Sequence, residues 1–237
     1  MAKQRLDRVL ASQGLGSRKQ VKRLVKEGRV RVGETVATDP ATKVDPLVDA
    51  IEVDGEPLDY RCQHHVLLYK PPGVLSATRD DVETTALDLV PEGLYREDLG
   101  LAGRLDKDAE GLLLLTTDGT LAHRLTHPKW KLEKVYELEL AGPVGEAEVR
   151  AFASGVAGFG PARLEPLPGN RARVTLTEGK YHQLKRMFHA VGRPVVRLKR
   201  VRLGPLSLGD LAPGEARALT PEEEAALYAA VGLKPCR

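Results

Sequence analysis

Four consecutive leucines, Leu112 to Leu115, followed by Thr116-Thr117 and then Asp118-Gly119, constrain this chain more than any other stretch. A run that short, closed by turn residues, reads as a buried strand rather than a helix. Before it stands Gly103-Arg104-Leu105-Asp106-Lys107-Asp108-Ala109-Glu110-Gly111, charged and punctuated by glycine, which reads as a loop held against that strand. A loop anchored by rigid structure is where reacting groups tend to be presented, so Asp106 is a candidate. Spacing alone equally allows Arg104, Asp106 and Lys107 to be solvated turn charges.

The 237 residues allow one large domain or two unequal ones. Aromatics are only 4%, so leucine and valine must fill most of the core. Charge is unevenly distributed. Residues 1–31 carry ten Lys or Arg against two acids, while the whole chain is only +3, so the remainder is net acidic. A basic module on a mildly acidic body points to a polyanion partner, most often nucleic acid. Cys62 and Cys236 are isolated and form no disulfide framework, which fits a reducing cytoplasm. The N-terminus has no apolar signal core, and no run reaches the length of a membrane span. The six histidines show no metal-ligand spacing.

In the basic module, Leu6, Val9 and Leu10 have helical spacing, and Gly14 and Gly16 follow as stop signals. Ser17 caps a second helix over residues 18–27, with Val21, Leu24 and Val25 on its apolar side. Arg18, Lys19, Lys22, Arg23 and Lys26 line a broad opposite face. Residues 29–33 alternate like a strand, and residues 44–53 read as further short strands. Polar residues 54–64 read as a linker. The division is therefore 1–60 and 61–237.

In the larger part, residues 66–69 read as a strand before the rigid turn Lys70-Pro71-Pro72-Gly73. Residues 85–90 read as a short helix. Asp118 or Thr120 caps a helix that ends before His127-Pro128. Residues 135–140 alternate, with Tyr136, Leu138 and Leu140 on one face of a strand that could pair beside the leucine run. Alternation alone favours Tyr136 as a core tyrosine. Residues 146–153 read as a helix, and 162–166 and 171–177 as strands. The stretch Glu178-Gly179-Lys180-Tyr181-His182-Gln183-Leu184-Lys185-Arg186-Met187-Phe188-His189 reads as a Gly hinge and a helix opening on Lys180 and Tyr181. Leu184, Met187, Phe188 and Val191 share one side, and His182, Lys185, Arg186 and His189 lie opposite. Residues 195–208 form one or two strands with a turn at Gly204-Pro205, and Thr220-Pro221-Glu222-Glu223 opens a last helix.

Two resemblances add to this reading. Arg5-Leu6-Asp7-Arg8-Val9-Leu10, Ser17-Arg18-Lys19-Gln20 and Leu24-Val25-Lys26-Glu27-Gly28-Arg29-Val30-Arg31-Val32 resemble the S4 RNA-binding domain. Gly103-Arg104-Leu105-Asp106 with Gly111-Leu112-Leu113-Leu114-Leu115-Thr116, Lys134-Val135-Tyr136, and the Glu178 to Met187 stretch together resemble the pseudouridine synthases of the RsuA family. Ala109 stands where many members carry Thr or Ser. The resemblance implies an α+β chain: a small S4-like head plus a larger domain with a mainly antiparallel mixed sheet, flanking helices and a central cleft. It implies isomerisation of a uridine in RNA without cofactor or metal. Asp106 would be the essential carboxylate, as nucleophile or as base, with Lys185 as its cation. Tyr136 would stack on the base, and Arg104 would fill the gap left when the uridine is flipped out. Lys180, Tyr181, His182 and Arg186 would contact RNA, as would Arg5, Arg18, Lys19, Lys22, Arg23, Lys26 and Arg29 of the head.

Tyr181-His182-Gln183 resembles the small-subunit enzymes, which implies 16S ribosomal RNA, of the uridine-516 type, in a partly assembled small subunit. The expected protein is a cytoplasmic monomer. The competing readings are a synthase acting on 23S ribosomal RNA, a non-catalytic S4-domain assembly factor and, ranked low for want of clustered carboxylates, a nucleic-acid hydrolase.

Overall fold

The computed structural model describes residues 3–236. The chain divides into two compact units. The first holds the chain as far as His64, together with Glu92–Glu97 and Cys236, so it is not one continuous segment. The second holds His65–Pro91 and Asp98–Pro235.

The first unit runs β1 (Gln4–Arg5), α1 (Leu6–Ser12), α2 (Arg18–Lys26), β2 (Val30–Val32), β3 (Thr35–Val36), β4 (Lys43–Val44), β5 (Ile51–Val53) and β6 (Glu56–Pro57). Ser17 accepts from Gln20 N–H while the Gln20 side chain accepts from Ser17 N–H, so both ends of this capping box are made. Val21 and Val25 of α2 pack with Leu6, Val9, Leu10, Val30, Val44 and Ile51 in a small core. Four strands pair in the order β3-β2-β5-β6, all antiparallel. β6 falls inside the stretch expected to be linker, because Glu56 and Pro57 close a hairpin on β5 through the Asp54-Gly55 turn. Cys62 and Cys236 are joined in a disulfide with Cα atoms 5.8 Å apart, which corrects the expectation of two isolated thiols. Their 174-residue separation hid the pairing.

The second unit runs β7 (His65–Lys70), β8 (Gly100–Leu101), β9 (Glu110–Thr116), α3 (Gly119–Thr126), β10 (Lys134–Leu140), α4 (Glu146–Ser154), β11 (Arg163–Leu167), β12 (Arg171–Leu176), α5 (Gln183–Ala190), β13 (Val195–Leu203), β14 (Leu206–Ser207), β15 (Ala216–Ala218) and α6 (Pro221–Ala230). Its sheet is ordered β11-β12-β10-β13-β9-β7-β15, with β14 on β13 and β8 on β9. The pairings are antiparallel except β13 with β9. All seven residues of β9 are buried, as its unbroken apolar run requires of a strand covered on both faces. Tyr136 does not pair beside that run; β13 lies between β9 and β10. Residues 87–89 form only a 3₁₀ turn where a short helix was expected.

Two apolar clusters fill this unit. One gathers Leu138, Phe152, Val174, Met187 and Phe188 around β10, β12, α4 and α5. The other gathers Leu67, Leu112, Leu114, Leu121, Leu227 and Tyr228 around β7, β9, α3 and α6. Asp118 caps α3 by accepting from Thr120 and Leu121 N–H, and it also accepts from Tyr228 O–H at 2.7 Å, tying α6 to α3. Among the described residues no helix is long and apolar enough to cross a membrane.

Candidate active site

Asp106 sits on the loop before β9, and its two neighbours are both gripped. On one side Leu105 is clamped to Ser76, whose hydroxyl donates to Leu105 C=O at 2.7 Å and accepts from Leu105 N–H at 3.0 Å. On the other, Lys107 C=O accepts from Gly73 N–H at 2.7 Å and from the Lys70 ammonium at 3.2 Å. Ala109 N–H closes the loop on Asp106 C=O at 3.1 Å. Ala109 itself is fully buried in the core, so its methyl fills space there. The carboxylate between these clamps is therefore fixed by backbone, as a positioned reacting group needs to be.

The Lys70 clamp is costly. Lys70 is fully buried, and its ammonium donates to Pro71, Val74 and Lys107 carbonyls at 2.9, 2.8 and 3.2 Å. Burial pushes it down to about 8, partly opposed by Asp108, Asp106 and Glu110. The unfolded lysine titrates near 10.4, so between pH 8 and 10 the unfolded chain binds the proton that the folded chain has released, and stability rises with pH there. Tyr69, pushed up to about 12 by burial and its hydrogen bond to Glu110, reverses the trend above pH 10, where the unfolded tyrosine ionises first. The unfolding free energy of the wild type from urea titrations should therefore climb between pH 8 and 10, by on the order of 2 kcal/mol, and that of Lys70→Met should climb much less, keeping only the share of Lys134, whose ammonium burial also pushes down.

Across the cleft, α5 presents Lys185. Its ammonium lies 3.1 Å from Asp106 Oδ2 and 2.6 Å from Asp108 Oδ1. Burial pulls this lysine down, and the hydrogen bonds and charges of both aspartates more than offset it, so its pKa lies above the ordinary value. The hydrogen bond from Lys185 holds the Asp108 carboxyl below the usual carboxylate range. His182 Nε2 lies 3.6 Å from Asp106 Oδ1. His182 is left-handed, at φ 48°, and forms the N-cap of α5, so the helix begins at Gln183 rather than at Lys180. The preceding turn is held by Gln183, which is buried, donates to Glu178 at 2.6 Å and accepts from Lys180 N–H at 3.1 Å. Tyr181 is 76% exposed and stacks on His182 with ring centroids 3.8 Å apart.

Tyr136 reaches the same cleft from β10 and is buried. Among the described hydrogen bonds none involves its hydroxyl, so it is not the core tyrosine with a paired hydroxyl that alternation suggested. The cleft, of about 140 Å³, is lined by Arg104, Asp106, Tyr136, Lys180, His182 and Lys185 among others. Arg104 is exposed at its edge. Arg186 lies over the Phe159 ring instead, at 4.7 Å from its centroid. Two charged lining residues were given no role in the sequence reading: Lys134, quoted only within the tyrosine motif, and Arg200. The signal for Arg200 was there, since it falls in phase with Leu198 on the buried face of β13. Among the described residues no group of three or more His, Cys, Asp or Glu could hold a metal ion.

In the first unit the basic residues separate into two sets. Arg5 pairs bidentately with the buried Asp7 and Arg29 with Asp54, and Arg23 donates one hydrogen bond from Nε to Glu27. Those three are each paired with an acid in the free protein. Arg18, Lys19, Lys22 and Lys26 are exposed on α2, with no hydrogen bond or ion pair among the described residues.

Comparison with known proteins supplies the family. Residues 64–190 match the RNA pseudouridylate synthase family and residues 4–46 the S4 domain. The chain is 45% identical to the uncharacterized RNA pseudouridine synthase YtzG of Bacillus subtilis, over 92% of this chain and 96% of that one. It is 42% identical to ribosomal small subunit pseudouridine synthase A of Pseudomonas aeruginosa, over 92% and 98%. It is 37% identical to ribosomal large subunit pseudouridine synthase B of Bacillus subtilis, over 93% of each. A crystal structure of a pseudouridylate synthase, 34% identical, superposes with a TM-score of 0.64 over 94% of this chain and 99% of that one. With an S4 domain ahead of a synthase domain and relatives matched over nearly their whole length, this chain belongs to the RNA pseudouridylate synthase family, as an RNA pseudouridine synthase of the RsuA type.

Proposed function

We propose that this chain isomerises one uridine of 16S ribosomal RNA to pseudouridine, on a partly assembled small subunit. One observation carries the catalytic reading: Asp106, Lys185 and Tyr136, from three separate elements, line a single cleft. Asp106 supplies the carboxylate at the ribose, with the Lys185 ammonium 3.1 Å away as its counter-ion. Tyr136 stacks on the target base. Arg104, exposed at the cleft edge, fills the gap left in the RNA when the base is flipped out. Lys180 and the exposed Tyr181 with His182 meet the flanking nucleotides.

The choice of 16S rests on Tyr181-His182-Gln183 and on relatives named for the small subunit. The large-subunit relative at 37% identity favours 23S as the second reading. Tritium release from [5-3H]uridine-labelled 16S ribosomal RNA, naked and as ribonucleoprotein, tests the choice; release from 23S alone would overturn it.

Phosphate contacts fall to the open cations of α2. Replacing Lys19 and Lys22 together by alanine should lower the slope of log affinity against log salt by about two. Filter binding across a salt series measures this, and an unchanged slope would remove α2 from the RNA contact.

A further inference from the structure

The floor of the cleft holds two cations that the reading above leaves without a task. Arg200 is only 3% exposed. Its Nε donates to Leu112 C=O at 2.7 Å, and its Nη2, buried, has no hydrogen-bond partner among the described residues. Lys134, lining the same cleft, donates among the described residues only to Leu132 C=O, at 3.2 Å. Burial and the Arg200 charge push the Lys134 ammonium down. Neither cation forms an ion pair among the described residues, whereas Lys185 takes two aspartates. A buried guanidinium with an unused donor and no counter-ion is destabilising, so its presence calls for an electron-rich ligand.

Position decides which part of a nucleotide that ligand is. Arg200 is the cross-strand partner of Tyr136, so the two side chains leave the sheet on the same face. A phosphate belongs to the outer edge of a bound nucleotide, where Arg104 and Lys180 are exposed. The deep position beside a stacking tyrosine suits the base.

We propose that Arg200, with Lys134 beside it, is the seat for the uracil ring after it leaves the ribose, and that it stabilises the charge the ring carries. This deepens the proposed isomerase reading and rests on it. When C1′–N1 breaks, the electron pair goes to N1 and spreads over O2 and O4, leaving C1′ electron-poor beside the Asp106 carboxylate. Arg200 and Lys134 donate hydrogen bonds to a ring carbonyl oxygen and keep their own protons. The pair returns in the new C5–C1′ bond, after which C5 loses its proton and N1 gains one, so the product is an isomer. A donor aimed at charge that develops only as the bond breaks lowers the barrier more than it aids binding.

The test uses the full chain under single-turnover conditions, on target RNA carrying either uridine or 5-fluorouridine at the site. Digestion to nucleosides and mass spectrometry report loss of the N-linked base. Fluorine makes the leaving ring a weaker base, which needs less help from a cation. Arg200→Gln should slow the uridine reaction about 100-fold with little change in KM, and slow the 5-fluorouridine reaction much less. Arg200→Lys should recover part of the loss. Lys134→Met, which leaves the β9 contact intact, should show the same difference between substrates at smaller size. Equal slowing of both substrates, or a rise in KM alone, would overturn the assignment in favour of a structural or phosphate-binding role. A wild type inactive on every ribosomal RNA would overturn the isomerase reading and this one together, and the wild-type control alone distinguishes that case.

Discussion

Asp106→Asn should abolish tritium release from labelled ribosomal RNA, by on the order of 10⁴-fold or more, while the protein stays folded. The two halves of this expectation have separate physical reasons. Activity goes because an amide is neither an anion nor a base, and the loop offers no carboxylate in its place. Asp108 is nearest in sequence, but it is exposed and is held by Lys185 through a 2.6 Å hydrogen bond. The fold stays because the loop is held through backbone groups of Leu105, Lys107 and Ala109, none of which involves the Asp106 side chain. Lys185 keeps Asp108 as its counter-ion, so the substitution leaves no buried charge unpaired. The thermal midpoint should move little, as for a surface substitution. A folded variant that retained release would remove Asp106 from the reaction; one that lost both release and cooperative unfolding would show the loop clamps to depend on the carboxylate.

What the sequence made legible followed from periodicity and caps. The leucine run declared a buried strand, and the i, i+3, i+4 pattern of Leu184, Met187 and Phe188 declared the buried side of α5. Ser17, and Thr220 with Glu223, marked helix starts that the structure shows as complete capping boxes, the first of them closed by Gln20. What stayed hidden depended on contacts between distant segments. That β13 inserts between β9 and β10 comes from a parallel pairing across almost ninety residues of chain, such as Arg200 with Gly111, which no local pattern encodes. Lys70 looks like a strand-end surface cation, yet its neighbours bury it fully. The true start of α5 was missed because His182 takes a left-handed conformation that few non-glycine residues adopt. Such a departure from local preference beside Asp106 falls where strain is most often kept.

The same parallel pairing makes Gly111→Ala the substitution expected to damage the fold most. Gly111 has φ 107°, a conformation that side-chain-bearing residues rarely adopt. Its missing Cβ is also where β13 comes closest: an added methyl would run into the backbone carbonyl of Arg200 and lie 2.7 Å from its nitrogen. Backbone at the centre of a sheet cannot yield as a flexible side-chain tip would. Relief requires β9 and β13 to separate, and that breaks the pairing that joins the β7–β9 side of the sheet to the β10–β12 side. The expected loss is about 4 kcal/mol or more, the range reserved for strain and overpacking in a core. Because Asp106 enters from the loop before β9 while Tyr136 enters from β10, separation also pulls the two apart, so activity should fall in step with stability. Urea unfolding and tritium release on the same preparation read both effects. Gly119→Ala provides the control, since a Cβ there meets nothing within 4 Å and φ is not left-handed. If Gly111→Ala unfolded at the wild-type midpoint, the two strands could not be as close as their pairing implies, and the cleft built across them would have to be redrawn.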